Sequence, residues 1–192
     1  MHLNFHAAIG ILISMLFSSY LSNFQISFII FASMIIDLDF LFSKFAQKHN
    51  HRRLITHTFF PYIIIALISI LLINITPLWF YMFLFSICAI IHVCVDLIDW
   101  GISPFLPFKR NFVGGILERP KPNEEEIYWV RRCYFVNRYY GSKIIISIEL
   151  SFGVLAFLSI LIFALNYFRI FIIYIFWLII HLVQFSLCHR KK

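Results

Sequence analysis

Residues 90–100 read IIHVCVDLIDW. His92 and Asp96 stand at i and i+4, and Asp99 follows at i+7, so on a helix the three share one face. Imidazole and carboxylate together are a donor set for zinc, manganese or iron. An ionisable group inside an apolar segment fit to cross a membrane costs about 2.5–3.5 kcal/mol at mid-span. Such groups therefore need a use. The same residue types recur at His6, at Asp37 and Asp39 in DLD, at His49, His51 and His57 in HNHRRLITH, and at Glu149. A divalent cation turns buried carboxylates from a liability into ligands. It also lowers the pKa of a bound water, and two cations can clamp an in-line displacement. Two ions need about six to eight protein groups, and the sequence supplies that many. The reaction class implied is hydrolysis, most naturally of a phosphoester.

The elements that position these groups are apolar throughout. The chain has 192 residues, of which 61% are hydrophobic and 13% charged, with 24 Phe and a mean hydropathy of +0.88. That composition excludes a soluble domain. About 20 apolar residues cross a bilayer, and this spacing predicts an all-α polytopic bundle of six spans. They fall near 5–22, 24–42, 58–76, 78–98, 144–165 and 168–188, in one domain over 1–192 with an interfacial insert at 99–143. A signal peptide is the rival reading of the first run, but no Lys or Arg precedes it and no small-residue cleavage site follows. Lys44, Lys48, Arg52 and Arg53 follow the second span. Lys109 through Lys143 hold a second basic group, and Arg190, Lys191 and Lys192 a third, whereas the opposite side carries only Arg169. The positive-inside rule then places both termini and both large loops in the cytosol. The net charge of +7 suits anionic headgroups rather than nucleic acid, since the basic residues hug span ends. Every Asp, Glu and His outlier falls on that same side. Four spans and one loop thus deliver costly groups to one depth.

The order of these elements resembles the YdjM-like inner-membrane proteins, described as metal-dependent hydrolases. The matching stretches are HAAIG, DLD, HRRLITH, HVCVD and GISPFLPF, covering residues 6–108. The resemblance implies metal ligation by His6, Asp37, Asp39, His51, His57, His92 and Asp96. It implies one or two ions, zinc with manganese or iron as alternatives. The family loop reads His-Arg-x-x-Thr-His, and this one is a residue longer, which leaves open which of His51 and His57 is the ligand. A late Glu in the family points to Glu149 as a general base beside Asp96, which could bridge two metals. The motif order is also similar, more distantly, to zinc-dependent phospholipase C. That pattern adds His-x-x-x-Glu, but Ile145 precedes Glu149 by four residues, so no third metal is implied. The expected location is the cytoplasmic membrane of a prokaryote, with a lipid or other membrane-associated phosphoester as substrate.

The remaining outliers have plainer readings. Asp99 is either a further ligand or a cap of its helix. His181 reads as a helix-packing hydrogen bonder, and His2 and His189 as terminal and solvated. Cys88, Cys94, Cys133 and Cys188 show no C-x-x-C spacing and read as apolar packing in a reducing or lipid setting. In YWVRRCYFVNRYY, Arg131, Arg132 and Arg138 either hold a substrate phosphate or anchor the segment in the headgroup layer. Two other classes of function compete. A divalent-cation or proton-coupled transporter needs polar groups along a continuous path, and the outer half offers none. A non-catalytic scaffold with a structural metal would use the same ligands.

Overall fold

The structure, a computed structural model, describes residues 2–46, 50–106, 108, 111–118 and 128–189, with side chains from 133 onward in the last segment. The α-helices among them are α1 (Leu3–Leu16), α2 (Asn23–Ile35), α3 (Phe60–Leu72), α4 (Pro77–Asp99), α5 (Tyr128–Gly141), α6 (Lys143–Phe163) and α7 (Phe171–His189). Among the described residues there is no β-strand beyond a single bridge between Ile102 and Val113. Local chemistry sets several boundaries. Ser22 and Gln25 form a capping box at the start of α2. Pro77 occupies the first turn of α4, where its missing N–H costs nothing, and Ser142 caps α6.

Among the described residues, four segments are long and apolar enough to cross a membrane: Asn23–Phe45, Pro77–Asp99, Lys143–Phe163 and Leu165–His189. The expected first and third spans are shorter. α1 has 14 residues and α3 has 13, or about 20 Å of rise each against a hydrocarbon core of about 30 Å. α1 is also the central helix. It packs against α2, α6 and α7, and every residue from Asn4 to Ile11 is buried. At Gly10 a Cβ would stand 2.5 Å from Ser33 Oγ and 2.8 Å from Ile30 Cα, so only glycine lets α1 approach α2 this closely. On the outside, α3, α6 and α7 expose large aliphatic and aromatic side chains such as Leu71, Ile162 and Phe176. Such a surface is suited to lipid.

The second span does not end as a regular helix. Residues Ile36–Phe45 form a 3₁₀ run, in which residues two apart point about 240° from one another. Short 3₁₀ turns at His51–Arg53 and Ile55–His57 then lead into α3. At the end of α4 the chain doubles back. Gly115 N–H, Ile116 N–H and Leu117 N–H donate to the carbonyls of Leu97, Ile98 and Asp99, satisfying acceptors that a helix end otherwise leaves open. Gly114 and Gly115 make that return with φ of 76° and 96°.

Two expectations are corrected by the packing. Cys133 on α5 and Cys188 on α7 form a disulfide with Cα atoms 5.2 Å apart, where the cysteines were expected unpaired. Their 55-residue separation hides the pairing until α5 is seen to lie along α7. His2 is not a solvated terminal residue. Its ring stacks on His181 at 4.2 Å and lies tilted against Tyr139 at 3.7 Å between ring centroids.

Candidate metal centre

The start of α1, the end of α2, the approach to α3 and the end of α4 meet at one end of the bundle. His6, Asp37, His92 and Asp96 offer donor atoms that all lie within 4.8 Å of one another, and so do Asp37, His51 and His57. Asp37 belongs to both groups. Its Oδ2 lies 3.5 Å from His6 Nε2, and its Oδ1 lies 3.5 Å from His92 Nε2, 3.4 Å from His57 Nε2 and 4.0 Å from His51 Nε2. Asp96 closes the far side, at 3.6 Å from His6 Nε2, 3.3 Å from His57 Nε2 and 3.6 Å from His92 Nε2.

These distances fit a shared ion better than direct hydrogen bonding, for which 2.7–3.2 Å is usual. Two ligand atoms about 2.0–2.2 Å from one tetrahedral ion stand roughly 3.3–3.6 Å apart. The Nε2 atoms of His6, His57 and His92 are buried and have no hydrogen-bond partner, which is costly unless something else engages them. The opposite ring nitrogens of two of them are held. His92 Nδ1–H donates to Ser33 O at 2.8 Å, and His57 Nδ1–H donates to Asp39 Oδ2 at 2.9 Å. In the neutral ring each bond leaves Nε2 as the lone-pair nitrogen, the tautomer that ligates. Ser33 Oγ also donates to His6 O at 2.7 Å, so one serine ties α1, α2 and α4 together at the cluster.

Asp39 therefore sits behind His57 rather than among the donor atoms facing Asp37 and Asp96, and it also accepts from the Thr56 hydroxyl. Its position follows from the 3₁₀ run, which turns Asp37 and Asp39 to different sides. Both His51 and His57 lie beside Asp37. They differ in access: the His57 side chain is fully buried, whereas His51 is 29% exposed. Burial together with the neighbouring His57 and Arg52 lowers the His51 pKa to about 4, keeping its imidazole neutral. Burial would lower His57 as well, but its contacts with Asp37, Asp39 and Asp96 raise it well above the usual histidine value. The carboxylates thus attract positive charge to this point, in the form of a proton or a cation.

Arg52 was read from the sequence only as part of the basic loop. It is buried, and its guanidinium donates to Asp99 at 2.7 and 3.1 Å, to Asp96 Oδ1 at 3.1 Å and to the Asp96 carbonyl at 3.3 Å. Burial opposes its charge, but Asp96 and Asp99 hold its pKa above the ordinary arginine value. Asp99 also accepts from the Trp100 N–H at 2.6 Å, so it serves as Arg52's partner and as a local cap. The sequence signal is that Asp96 and Asp99, at i and i+3 on a buried face, require a cation.

Glu149 lies in neither ligand group. It accepts from Asn4 Nδ2 at 2.6 Å and from the Tyr139 hydroxyl, with His2 Nδ1 at 3.7 Å. Asn4 and His6 are two residues apart on α1, so they face nearly opposite directions. Burial and Glu149 raise the Tyr139 pKa well above its usual value, keeping the phenol protonated as a donor. Of the arginines expected to hold substrate, Arg138 pairs with Glu118 at 2.8 Å on the surface. The side chains of Arg131 and Arg132 lie outside the described residues, as do Lys48 and His49.

The apolar helices and the buried histidine–aspartate cluster first define a class: an all-helical, multi-pass membrane protein with a candidate metal centre at one end. Within that class the family follows. The model of the YdjM inner membrane protein family matches residues 1–185, and this chain belongs to that family. The match extends well beyond the motifs of residues 6–108. No curated protein and no solved structure matches the chain.

Proposed function

We propose that the protein is a membrane-embedded metal-dependent hydrolase acting on a lipid or other membrane-associated phosphoester at the cytosolic face. The observation that carries this reading is the set of three partnerless Nε2 atoms, on His6, His57 and His92, spaced 3.3–3.6 Å from the oxygens of Asp37 and Asp96. His6, His92 and Asp96 would hold one ion and His51 and His57 a second, with Asp37 common to both. Zinc suits the donors best, and manganese or iron would also be accepted. When bound, such ions polarise a phosphoryl oxygen and supply a nucleophile at neutral pH. The chain's own residues then divide the remaining work. Asp39 and Ser33 fix the two imidazole tautomers, and Arg52 fixes Asp96. The exposed edge at His51 is where water and ester would enter. Hydrolysis adds water to phosphorus, breaks the ester P–O bond and delivers a proton to the leaving oxygen.

The basic residues of this end support a cytosolic side for it by the positive-inside rule. Six crossings follow if the short helices α1 and α3 span together with their flanking turns. The burial of His6, His57, His92 and Asp96, each at most 1% exposed, favours a second reading in which a closed site keeps a structural metal and the protein is a scaffold. Metal analysis of the purified protein with a phosphoesterase screen on lipids separates the two. Metal with turnover supports the hydrolase, metal without turnover supports the scaffold, and a metal-free protein overturns both.

A further inference from the structure

A cleft of about 330 Å³ lies between the segments that carry the candidate ligands. Its walls are Phe45 and Ala46 at the end of the 3₁₀ run after Asp37 and Asp39, Arg53 to Ile55 between His51 and His57, and Ser103 and Leu106 just beyond Asp99. That volume is within the range of small-ligand sites. Its lining is mixed: one guanidinium and one hydroxyl among aliphatic and aromatic side chains. Its surroundings are amphipathic too. Phe42, Phe45, Ile55, Phe105 and Phe108 are exposed at this end. Lys44 Nζ stands 4.9 Å over the Phe45 ring, and the Arg53 guanidinium stands 4.5 Å over Phe112. Cations laid across exposed aromatic rings belong to the boundary between headgroups and acyl chains. A water-soluble phosphate would use the cation but leave the apolar rim uncovered.

We propose that this cleft seats the anionic headgroup of an acyl-chain phospholipid, its chains leaving over the Phe42, Phe45 and Phe105 rim. The inference rests on the hydrolase reading and names its substrate class. It assigns headgroup recognition to the charge of Arg53, and not to Arg131, Arg132 and Arg138. Arg53 adjoins Arg52, and Ile55 is two residues from His57. The cleft is therefore built from the same short loop that brings two histidines to Asp37.

The test is binding of phosphatidate, dispersed in neutral detergent micelles, to the full chain with its metal content measured. Phosphatidylcholine, glycerol 3-phosphate and inorganic phosphate serve as comparison ligands. Arg53→Gln removes the charge, and Ala46→Phe fills the cleft without touching a charged group. Each is expected to weaken phosphatidate binding about tenfold or more, whereas Arg169→Gln at the opposite end leaves it unchanged. Glycerol 3-phosphate, lacking chains, should bind far more weakly than phosphatidate. Equal affinity for the two would overturn the lipid assignment. Unchanged binding in both cleft variants, or a loss seen only with Arg138→Gln, would overturn the site. The two readings fail separately. Binding with this variant pattern but no turnover on any phosphoester sinks the hydrolase and leaves the cleft. Turnover whose KM ignores both variants sinks the cleft and leaves the hydrolase.

Discussion

Replacing Arg52 by Leu tests the architecture of the cluster without touching a proposed ligand. The substitution removes four donated hydrogen bonds, three of them to carboxylate oxygens of Asp96 and Asp99. Both carboxylates are fully buried, so neither can turn to water for compensation. Breaking a buried ion pair by deleting one partner costs about 3–5 kcal/mol, because it leaves an uncompensated buried charge. For a chain of this size each kcal/mol moves the melting temperature by about 2–4 °C, giving a fall of about 6–20 °C. The measurement is thermal unfolding of the purified protein in detergent after chelation, so that no metal ion offsets Asp96. Adding Asp99→Asn to Arg52→Leu should recover part of the loss, since one of the stranded charges is then gone. Arg52→Lys keeps the charge but not the two-pronged geometry, and should fall between wild type and Leu. Arg52→Leu melting within about 2 °C of wild type would refute the pairing as a source of stability.

The remaining expectations concern the ligands and their supports. Asp37→Asn should abolish both metal equivalents, because Asp37 is common to the two groups, whereas His51→Ala should remove one; metal content by mass spectrometry decides this. Asp39→Asn should keep the metal but weaken its affinity about 10–100-fold, as expected when a group orienting a ligand histidine is changed, measured by competition with a chromogenic chelator. Glu149→Gln should leave metal content intact and lower stability by about 1–3 kcal/mol, because a carboxylate accepting from Asn4 and Tyr139 is replaced by an amide. A fall in metal content in that variant would place Glu149 in the centre after all.

The sequence made the helices legible wherever an apolar run had a chemical stop. The span expected at 78–98 is Pro77–Asp99, begun by a proline, and that expected at 144–165 is Lys143–Phe163, capped by Ser142. It did not show that α1 stops at Leu16, since the apolar character continues past the point where the chain turns. The cluster residues stood out because each is costly in an apolar setting. Their division of labour did not, because it depends on rotation. DLD looks like a pair of equal ligands until the 3₁₀ run turns Asp39 behind His57. Arg52 was hidden for another reason. A basic residue near a span end serves the positive-inside pattern and a buried ion pair equally well, and only proximity to Asp96 and Asp99 separates the two.

The burial of α1 has a consequence for how the protein is made. This helix is short and carries Asn4, His6 and Ser14 at zero exposure, so it is a poor candidate to rest alone in lipid. Its partners arrive at very different times. α2 follows at once, but Glu149, which accepts from Asn4, lies 145 residues further along. At ordinary translation rates that is a delay of roughly ten to thirty seconds. Until α6 and α7 enter the bilayer, the face of α1 opposite His6 has nothing to pack against. Ser33 already ties α1 to α2 and α4 at the cluster, but α1 then stands with one face unpacked. If the cluster holds metal as proposed, full loading would then report completion of the chain, because a nascent chain that stalls before α6 leaves the helix carrying His6 packed on one face only.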